Sequence, residues 1–295
     1  MRTQTVVVAV DGTDASGSAI AWAAAEAQRR EQPLRVVNVL DWEWSAARFG
    51  YTGDQFETER RYAEALTADA AQRARDVAPG IEVETDLMVG DPAAQLIIGS
   101  ENAGLMVLGH RGHGGFTGLR LGSVSQRVAT HAHCPVAVIR DDAGDDRRPI
   151  AAGVDDSPAA DGVLEAAFTA AHQRGVKLVL IRCYLPPVPY YRGGVAPADL
   201  HTPQQDDIER GRLSSLVEPW QAKFPDVEVE PLVSHDSAAA VLVGVSHGTQ
   251  LVIVGSRGHG VIAGTLLGST GLQLLHHAES PVMIIRPERR RTWQR

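Results

Sequence analysis

The chain has 295 residues, about twice the ~150 residues typical of one domain, so its length favours two domains. It carries 28 Lys and Arg against 36 Asp and Glu, a net charge of −8, with 44% hydrophobic and 22% charged residues. This balance gives no support to extended disorder and argues against a nucleic-acid partner, because binding the phosphate backbone requires a basic surface.

The predicted strands of the first half are five short, mostly apolar runs. They cover residues 5–10, 34–40, 82–89, 105–109 and 135–139. Four of them are almost continuously apolar, which is typical of strands in a parallel sheet that is covered on both faces. The first half therefore predicts a buried parallel sheet.

Helices are predicted between these strands. Residues 57–77 are rich in Ala, Glu and Arg, and Pro92 occupies a position that suits the first turn of a helix. The helix after the first strand is indicated by an apolar stripe at helical spacing, made of Ile20, Ala23, Ala24 and Ala27. The alternation of strands and helices predicts a doubly wound α/β domain.

The second half of the chain repeats the first. Residues 105–140 align without a gap onto residues 251–286, with 16 of 36 positions identical. Residues 6–16 match 150–160, so that Asp11 corresponds to Asp155. The helical stripe also recurs, as Leu164, Ala167, Phe168 and Ala171. We predict two Rossmann-like domains in tandem, each with a five-stranded, mostly parallel sheet.

The domain boundaries follow from the repeat and from composition. We predict domains over residues 1–142 and 148–288, with an exposed polar segment at their junction, residues 141–149, that contains Gly and Pro. Residues 289–295 form a basic tail. The two cysteines are too few for a disulfide scaffold, and no apolar run approaches the ~20 residues of a membrane span. We therefore expect a cytoplasmic protein with no membrane partner.

The fourth strand of each half is followed by one glycine pattern. Residues 109–123 and 255–269 both read G-x-x-G-x9-G-S. Glycines let backbone N–H groups approach an anion without a Cβ in the way, and the helix after the Gly-Ser pair begins with unpaired amides that attract phosphate. Ser123 and Ser269 are predicted to cap these helices and also to donate their hydroxyls to phosphate oxygens. Tight turns alone explain one such motif, but its repetition beside an aspartate-ended strand favours a nucleotide site.

This combination of loop and aspartate resembles the universal stress protein family of the tandem two-domain type, over residues 5–140 and 149–286. The resemblance implies ATP in each half, with adenine near the first two strand ends and phosphates on the glycine loop. Carried over, the first site comprises Ala9, Asp11, Val39, Leu108, Gly109, Gly112, Gly122, Ser123, Val124 and Ser125. The second comprises Gly153, Asp155, Cys183, Val254, Gly255, Gly258, Gly268, Ser269 and Thr270.

The second half departs from the family pattern. Gly271 replaces the hydroxyl of Ser125, and residues 235–237 replace a glycine-containing loop. Asp156 replaces Gly12, which adds a carboxylate near a polyanion and is unfavourable unless a metal intervenes. We still expect the second half to bind nucleotide.

The negative charge of a bound phosphate must be balanced by groups other than lysine. The chain has only Lys177 and Lys223, both remote from the loops, and no P-loop motif. Backbone amides, hydroxyls, Arg111 or Arg257, and Mg²⁺ are the expected counter-charges. A zinc site at residues 131–134 is disfavoured, because the second half does not repeat its ligand set.

The family resemblance implies a nucleotide-dependent stress-response regulator with an unidentified protein partner. Two rivals stay open: a slow ATP-hydrolysing enzyme, and an interaction module that binds another adenine nucleotide such as cyclic AMP. No water-activating base paired with a nucleophile is evident, so any hydrolysis is expected to be slow. The family resemblance also implies association through sheet edges, either between the two halves of one chain or in a homo-oligomer such as a dimer.

Overall fold

The structure is a computed structural model, and it describes residues 5–42, 53–112, 120–140, 147–184, 203–258 and 267–287. The predicted basic tail, residues 289–295, lies outside the described residues. By their internal contacts, residues 1–143 with 281–284 form one compact unit, and residues 144–280 with 285–295 form the other. No helix in the described ranges is long and apolar enough to cross a membrane.

Strands and helices alternate through the first half. Its strands are β1 (Thr5–Ala9), β2 (Leu34–Leu40), β3 (Val83–Val89), β4 (Ala103–Gly109) and β5 (Val136–Ile139). Its helices are α1 (Asp14–Arg29), α2 (Gly53–Val77), α3 (Pro92–Gly99) and α4 (Ser123–His131). The predicted strands and the helix that begins at Pro92 are confirmed, with ends that differ by one or two residues.

The sheet of the first half has the order β3-β2-β1-β4-β5, and neighbouring strands are parallel. The chain moves outward from β1 in one direction through β2 and β3, then returns to the other side of β1 as β4. The carboxyl ends of β1 and β4 therefore border a crevice at the point where the strand order reverses, which is where open α/β sheets bind ligands.

The second half repeats this order of elements. Its strands are β6 (Ile150–Gly153), β7 (Leu178–Cys183), β8 (Val229–Ser234), β9 (Leu251–Gly255) and β10 (Val282–Ile285). Its helices are α5 (Ala160–Arg174), α6 (Pro203–Lys223), α7 (Ala238–Ser246) and α8 (Ser269–His277). Strand β6 pairs in parallel with both β7 and β9, so the reversal of strand order lies between β6 and β9. The tandem Rossmann-like fold is confirmed.

The core of each half lies between its sheet and the helices that cover it. The apolar stripes predicted for α1 and α5 are buried, with every member less than 5% exposed. The two stripes fill their space differently. The stripe of α1 is mostly alanine, whereas Phe168 in α5 stacks on Trp220 and Phe224 of the second half, with ring centroids 6.2 and 5.9 Å away. Each half thus has a closely packed core that holds its strand ends in place.

Candidate functional site

The turn after β1 fixes the Asp11 side chain. Asp11 Oδ1 accepts hydrogen bonds from the Thr13 backbone N–H at 3.1 Å and from the Thr13 hydroxyl at 2.7 Å. The Thr13 hydroxyl in turn accepts from the Ser16 N–H and caps α1. Gly12 has a φ of +87°, a backbone conformation that residues with a side chain rarely adopt. The turn and the start of the helix therefore hold the carboxylate in one orientation.

The held carboxylate faces the glycine loop. A Cβ added to Gly112 would collide with Asp11 Oδ2. Gly112 follows β4, and Asp11 follows β1, the neighbouring strand. The structure thus brings together the two motifs that the sequence analysis singled out, across the crevice where the strand order reverses.

The loop returns to its own first residues at Gly122. The Gly122 N–H donates to the His110 carbonyl at 2.8 Å, and the His110 N–H donates to the carbonyl of Ile139 in β5 at 3.0 Å. A Cβ on Gly122 would lie 3.4 Å from Arg111 Cα and 3.7 Å from the Gly112 amide nitrogen. Residues 113–119, which complete the loop, lie outside the described residues. Gly112 and Gly122 therefore lie close together at the start of α4.

The prediction that Ser123 and Ser269 cap these helices is wrong. Gly122 and Gly268 are the N-cap residues of α4 and α8, with extended backbones and no capping side chain, and each serine is the first residue inside its helix. A cap side chain would occupy the first-turn amides, so its absence leaves the helix start without that competitor for an anion.

Ser125 connects α4 to the end of β4. Its hydroxyl is buried and donates to the Gly109 carbonyl at 2.7 Å. Gly109 itself packs tightly against α1, since a Cβ there would lie 2.8 Å from the backbone carbonyl of Ala15. Gly109 thus lets the helix and the strand approach closely, and Ser125 stabilises the strand end from the other side.

The second half reproduces the central contact. A Cβ on Gly258 would lie 2.7 Å from Asp155 Oδ2, while Asp155 Oδ1 accepts from the Ser157 N–H at 3.0 Å. The Gly268 N–H donates to the Ser256 carbonyl at 2.8 Å, as Gly122 does to His110 in the first half. The Ser256 hydroxyl is buried and makes no hydrogen bond within the described residues. The described ends of the two loops thus make matching contacts after equivalent strands.

The remaining predicted residues occupy equivalent positions in the two halves. Ala9 and Gly153 end the first strand of their half, while Leu108 and Val254 are buried one residue before the end of β4 and β9. Val124 and Thr270 are the second residues of α4 and α8, and Gly255 ends β9. Arg111 and Arg257 are exposed within the loops, and Arg111 Nε donates to His110 Nε2 at 2.9 Å. Val39 and Cys183 lie near the ends of β2 and β7, and no described contact joins them to the glycine loops.

Cys183 is half-buried at the edge of the second site. Burial raises the pKa of its thiol to about 11, and the negative charge of Asp236 adds to the effect. The corresponding corner of the first half contains Val39 instead, and Asp91 nearby caps α3 by accepting from the Ala94 N–H at 2.7 Å. The Arg127 guanidinium, and then that N–H, hold the pKa of Asp91 below its usual value.

A buried charge cluster beside the second site escaped the sequence analysis. Arg182, near the end of β7, donates to both oxygens of Asp156 at 3.0 and 2.7 Å and to Glu209 Oε2 of α6 at 2.7 Å. Its hydrogen bonds to Asp156, and then to Glu209, raise the pKa of Arg182 despite its burial. The charge of the added Asp156 carboxylate is thus balanced by an arginine. A charged residue inside the apolar run of β7 was the signal for this cluster.

Metal ligands are not clustered in the described part of the chain. There, no group of three or more His, Cys, Asp or Glu side chains is arranged to hold a metal ion. Of the side chains at residues 131–134, His133 Nε2 lies 3.6 Å from a carboxylate oxygen of Glu101, and Cys134 is buried.

Fold and loop define a doubly wound α/β protein in which one unit occurs twice. The model of the universal stress protein family matches residues 2–140 and 146–286. A universal stress protein of Mycobacterium tuberculosis is 34% identical over 289 residues, which cover 95% of this chain and 96% of that protein. Another, from Mycolicibacterium smegmatis, is 31% identical over 293 residues, with coverage of 96% and 97%. The chain therefore belongs to the universal stress protein family and has its tandem two-domain form.

Solved structures agree on the fold. A universal stress protein from Archaeoglobus fulgidus has a TM-score of 0.72 and 20% identity to this chain, and the match covers 98% of this chain and 100% of that one. At this identity the likeness concerns the fold alone.

Proposed function

We propose that each half binds an adenine nucleotide, ATP with Mg²⁺, and that the bound state regulates a stress response through a protein partner. The observation that carries the proposal is the repeated contact of a strand-end aspartate with a loop glycine, Asp11 with Gly112 and Asp155 with Gly258. Two copies of the unit keep this contact although most of their other residues differ.

The described residues fit a nucleotide. The uncapped starts of α4 and α8, reached through Gly122 and Gly268, offer backbone N–H groups to phosphate oxygens. Asp11 and Asp155 are oriented to accept hydrogen bonds from ribose hydroxyls or an adenine amine. Bound Mg²⁺ would supply positive charge to the phosphates, which the two lysines of the chain are too remote to provide.

The first experiment identifies the ligand. Protein purified without added nucleotide is denatured, and the released small molecules are analysed by mass spectrometry, followed by equilibrium dialysis against ATP with Mg²⁺. We expect ATP, bound at up to two per chain. Absence of any adenine nucleotide, even at millimolar ATP, would overturn the proposal. Cyclic AMP in place of ATP would favour the interaction-module alternative.

Turnover separates a regulator from an enzyme. We expect ATP hydrolysis well below about 1 s⁻¹, the low end of usual enzyme rates. Faster hydrolysis that is lost in Asp11→Ala would favour the enzyme alternative.

The same proposal includes a cytoplasmic location, a protein partner, a paired or oligomeric state, and domain boundaries at residues 142 and 148. Fractionation, mass measurement in solution and limited proteolysis test them.

A further inference from the structure

The turn after the first strand is held differently in the two halves. In the first half it contains Gly12, whose φ of +87° suits glycine, and a Cβ there would lie 2.7 Å from Leu66 Cδ1 of α2. The buried Asn38 amide donates to the Val10 carbonyl at 2.7 Å. Where the second half has ions, the first turn is thus held by apolar packing and a neutral amide, in addition to the hydrogen bonds between Thr13 and Asp11.

In the second half the equivalent positions are charged. Strand β2 begins opposite Val6 and β7 opposite Ile150, and this register matches Asn38 with Arg182. Gly12 corresponds to Asp156 by the alignment of the strand-end aspartates. Ions therefore replace the glycine and the amide at the same corner of the fold.

Arg182 connects this turn to α6. Its Nη1 and Nη2 atoms donate to the two Asp156 oxygens, and its Nε donates to Glu209. The side chains of Arg182 and Glu209 are only 6% and 4% exposed, whereas that of Asp156 is 47% exposed. The guanidinium is planar, so two parallel hydrogen bonds to Asp156 and one to Glu209 fix it in a single orientation.

Asp155 and Asp156 are adjacent but have different partners. Asp155 Oδ2 lies against Gly258 of the loop after β9, whereas Asp156 pairs with Arg182 of β7, on the opposite side of β6. A rotation of the backbone at Asp156 would therefore move Asp155 relative to the glycine loop. The arginine restrains that rotation.

We propose that Arg182 is a positioning residue of the second nucleotide site, because it holds the turn that presents Asp155 to Gly258. This inference rests on the proposed function. Arg182 acts through Asp156 and Glu209 and does not bind the nucleotide itself. The first site has no equivalent ion and is unaffected by Arg182.

The test measures ATP affinity at the second site alone. In full-length protein the first site is disabled by Gly112→Ala, and ATP binding is measured by calorimetry with and without Arg182→Met. We expect Arg182→Met to weaken ATP binding about tenfold, as is common when a supporting hydrogen-bond partner is removed. In the reciprocal background, Gly258→Ala, the same substitution should leave first-site affinity unchanged.

Two further variants separate positioning from stability. Leu213→Ala removes a fully buried apolar side chain from α6 and leaves all three charged groups of the ion cluster in place, so it should destabilise that helix but leave ATP affinity intact. Arg182→Met with Glu209→Met replaces the buried pair by apolar side chains, which restores stability without reconnecting Asp156. Its ATP affinity should stay low.

Three results would overturn the inference: unchanged affinity in Arg182→Met, an equal loss in Leu213→Ala, or recovery of affinity in the double variant. These results differ from a failure of the proposed function itself, in which the unmodified protein would bind no ATP at either site.

Discussion

The Asp155 carboxylate lies so close to Gly258 that a methyl group added to this glycine would come within 2.7 Å of Oδ2. Real Cβ atoms do not approach an oxygen this closely, so any side chain at residue 258 must displace either Asp155 or the loop. The first half has the same restriction between Asp11 and Gly112. Glycine is thus required here because of a side chain across the crevice.

Gly258→Ala is expected to reduce ATP binding at the second site by at least about tenfold, because the loop or the carboxylate must move. Gly112→Ala should do the same at the first site. The control is Gly17→Ala within α1, where an added Cβ meets nothing within 4 Å. That change should preserve binding and stabilise the helix by up to about 1 kcal/mol. Calorimetric titration with ATP checks all three, and full binding by Gly258→Ala would contradict the prediction.

Arg182→Met is expected to destabilise the second half by about 1–3 kcal/mol, because Oε2 of the buried Glu209 loses its donor while Oε1 keeps Arg212 and Gln205. Hydrogen exchange, read separately for peptides of β7 and α6, measures the loss. Arg35→Met is the matched control: Arg35 pairs with Glu84 at 2.9 Å, but both side chains are 40% or more exposed. This exposed pair should contribute less than about 1 kcal/mol. Equal effects from the two substitutions would show that burial of the Arg182 pair is unimportant.

Asp91 should make the stability of α3 depend on pH. Hydrogen bonds from Arg127 and the Ala94 N–H hold the pKa of this carboxyl below its unfolded value of 3.8. Its stabilisation is therefore complete above that unfolded value and is lost as the pH falls through the lower, folded value.

We expect Asp91→Ala to cost about 1 kcal/mol at neutral pH, the usual contribution of a helix cap, and almost nothing in strong acid. Unfolding by urea across this pH range is the measurement. The control Asp69→Ala breaks an exposed pair with Arg73 and should change stability by less than about 0.5 kcal/mol at any pH. A loss in Asp91→Ala that does not vary with pH would mean that the charge has no role.

The Cys183 thiol should react slowly with alkylating reagents. Its pKa of about 11 leaves little thiolate at neutral pH, and the rate should rise as the pH approaches that value. Asp236→Asn removes a nearby negative charge, so it should lower the pKa and speed the reaction moderately. Mass spectrometry distinguishes Cys183 from the buried Cys134. Rapid alkylation of Cys183 at neutral pH would contradict the assigned pKa.

Local sequence patterns predicted most of the fold. The apolar runs correspond to strands because a sheet covered on both faces accepts little else, and the repeat of residues 105–140 in 251–286 revealed the second copy. The spacing of the glycines predicted that the glycine loop and the start of the next helix would both follow the fourth strand of each half. The aspartate at the end of the first strand then fell opposite the loop, because parallel strands place their carboxyl ends at one edge of the sheet.

The serine caps and the ion cluster were not predicted correctly. Either residue of a Gly-Ser pair can be the N-cap of a helix. The N-cap is the residue with the extended backbone, which is Gly122 in α4 and Gly268 in α8. Asp156, Arg182 and Glu209 lie on a turn, a strand and a helix, and the paired positions are 26 and 27 apart in the sequence. A contact between positions so far apart produces no periodic pattern in the local sequence. The sequence shows only a charged residue, Arg182, within an otherwise apolar strand. This indicates that the residue has a partner but does not identify that partner.

The ion cluster of the second half restricts the order in which two copies of one unit can diverge. Arg182 alone would bury an unpaired charge, whereas Asp156 is half exposed and Glu209 also accepts hydrogen bonds from Arg212 and Gln205. A path of single substitutions between the two corners is therefore easiest when at least one of the two carboxylates comes before the arginine. The arginine is acceptable only in a background that already contains such a carboxylate, so the divergence of the two halves at this corner depends on the order of its steps.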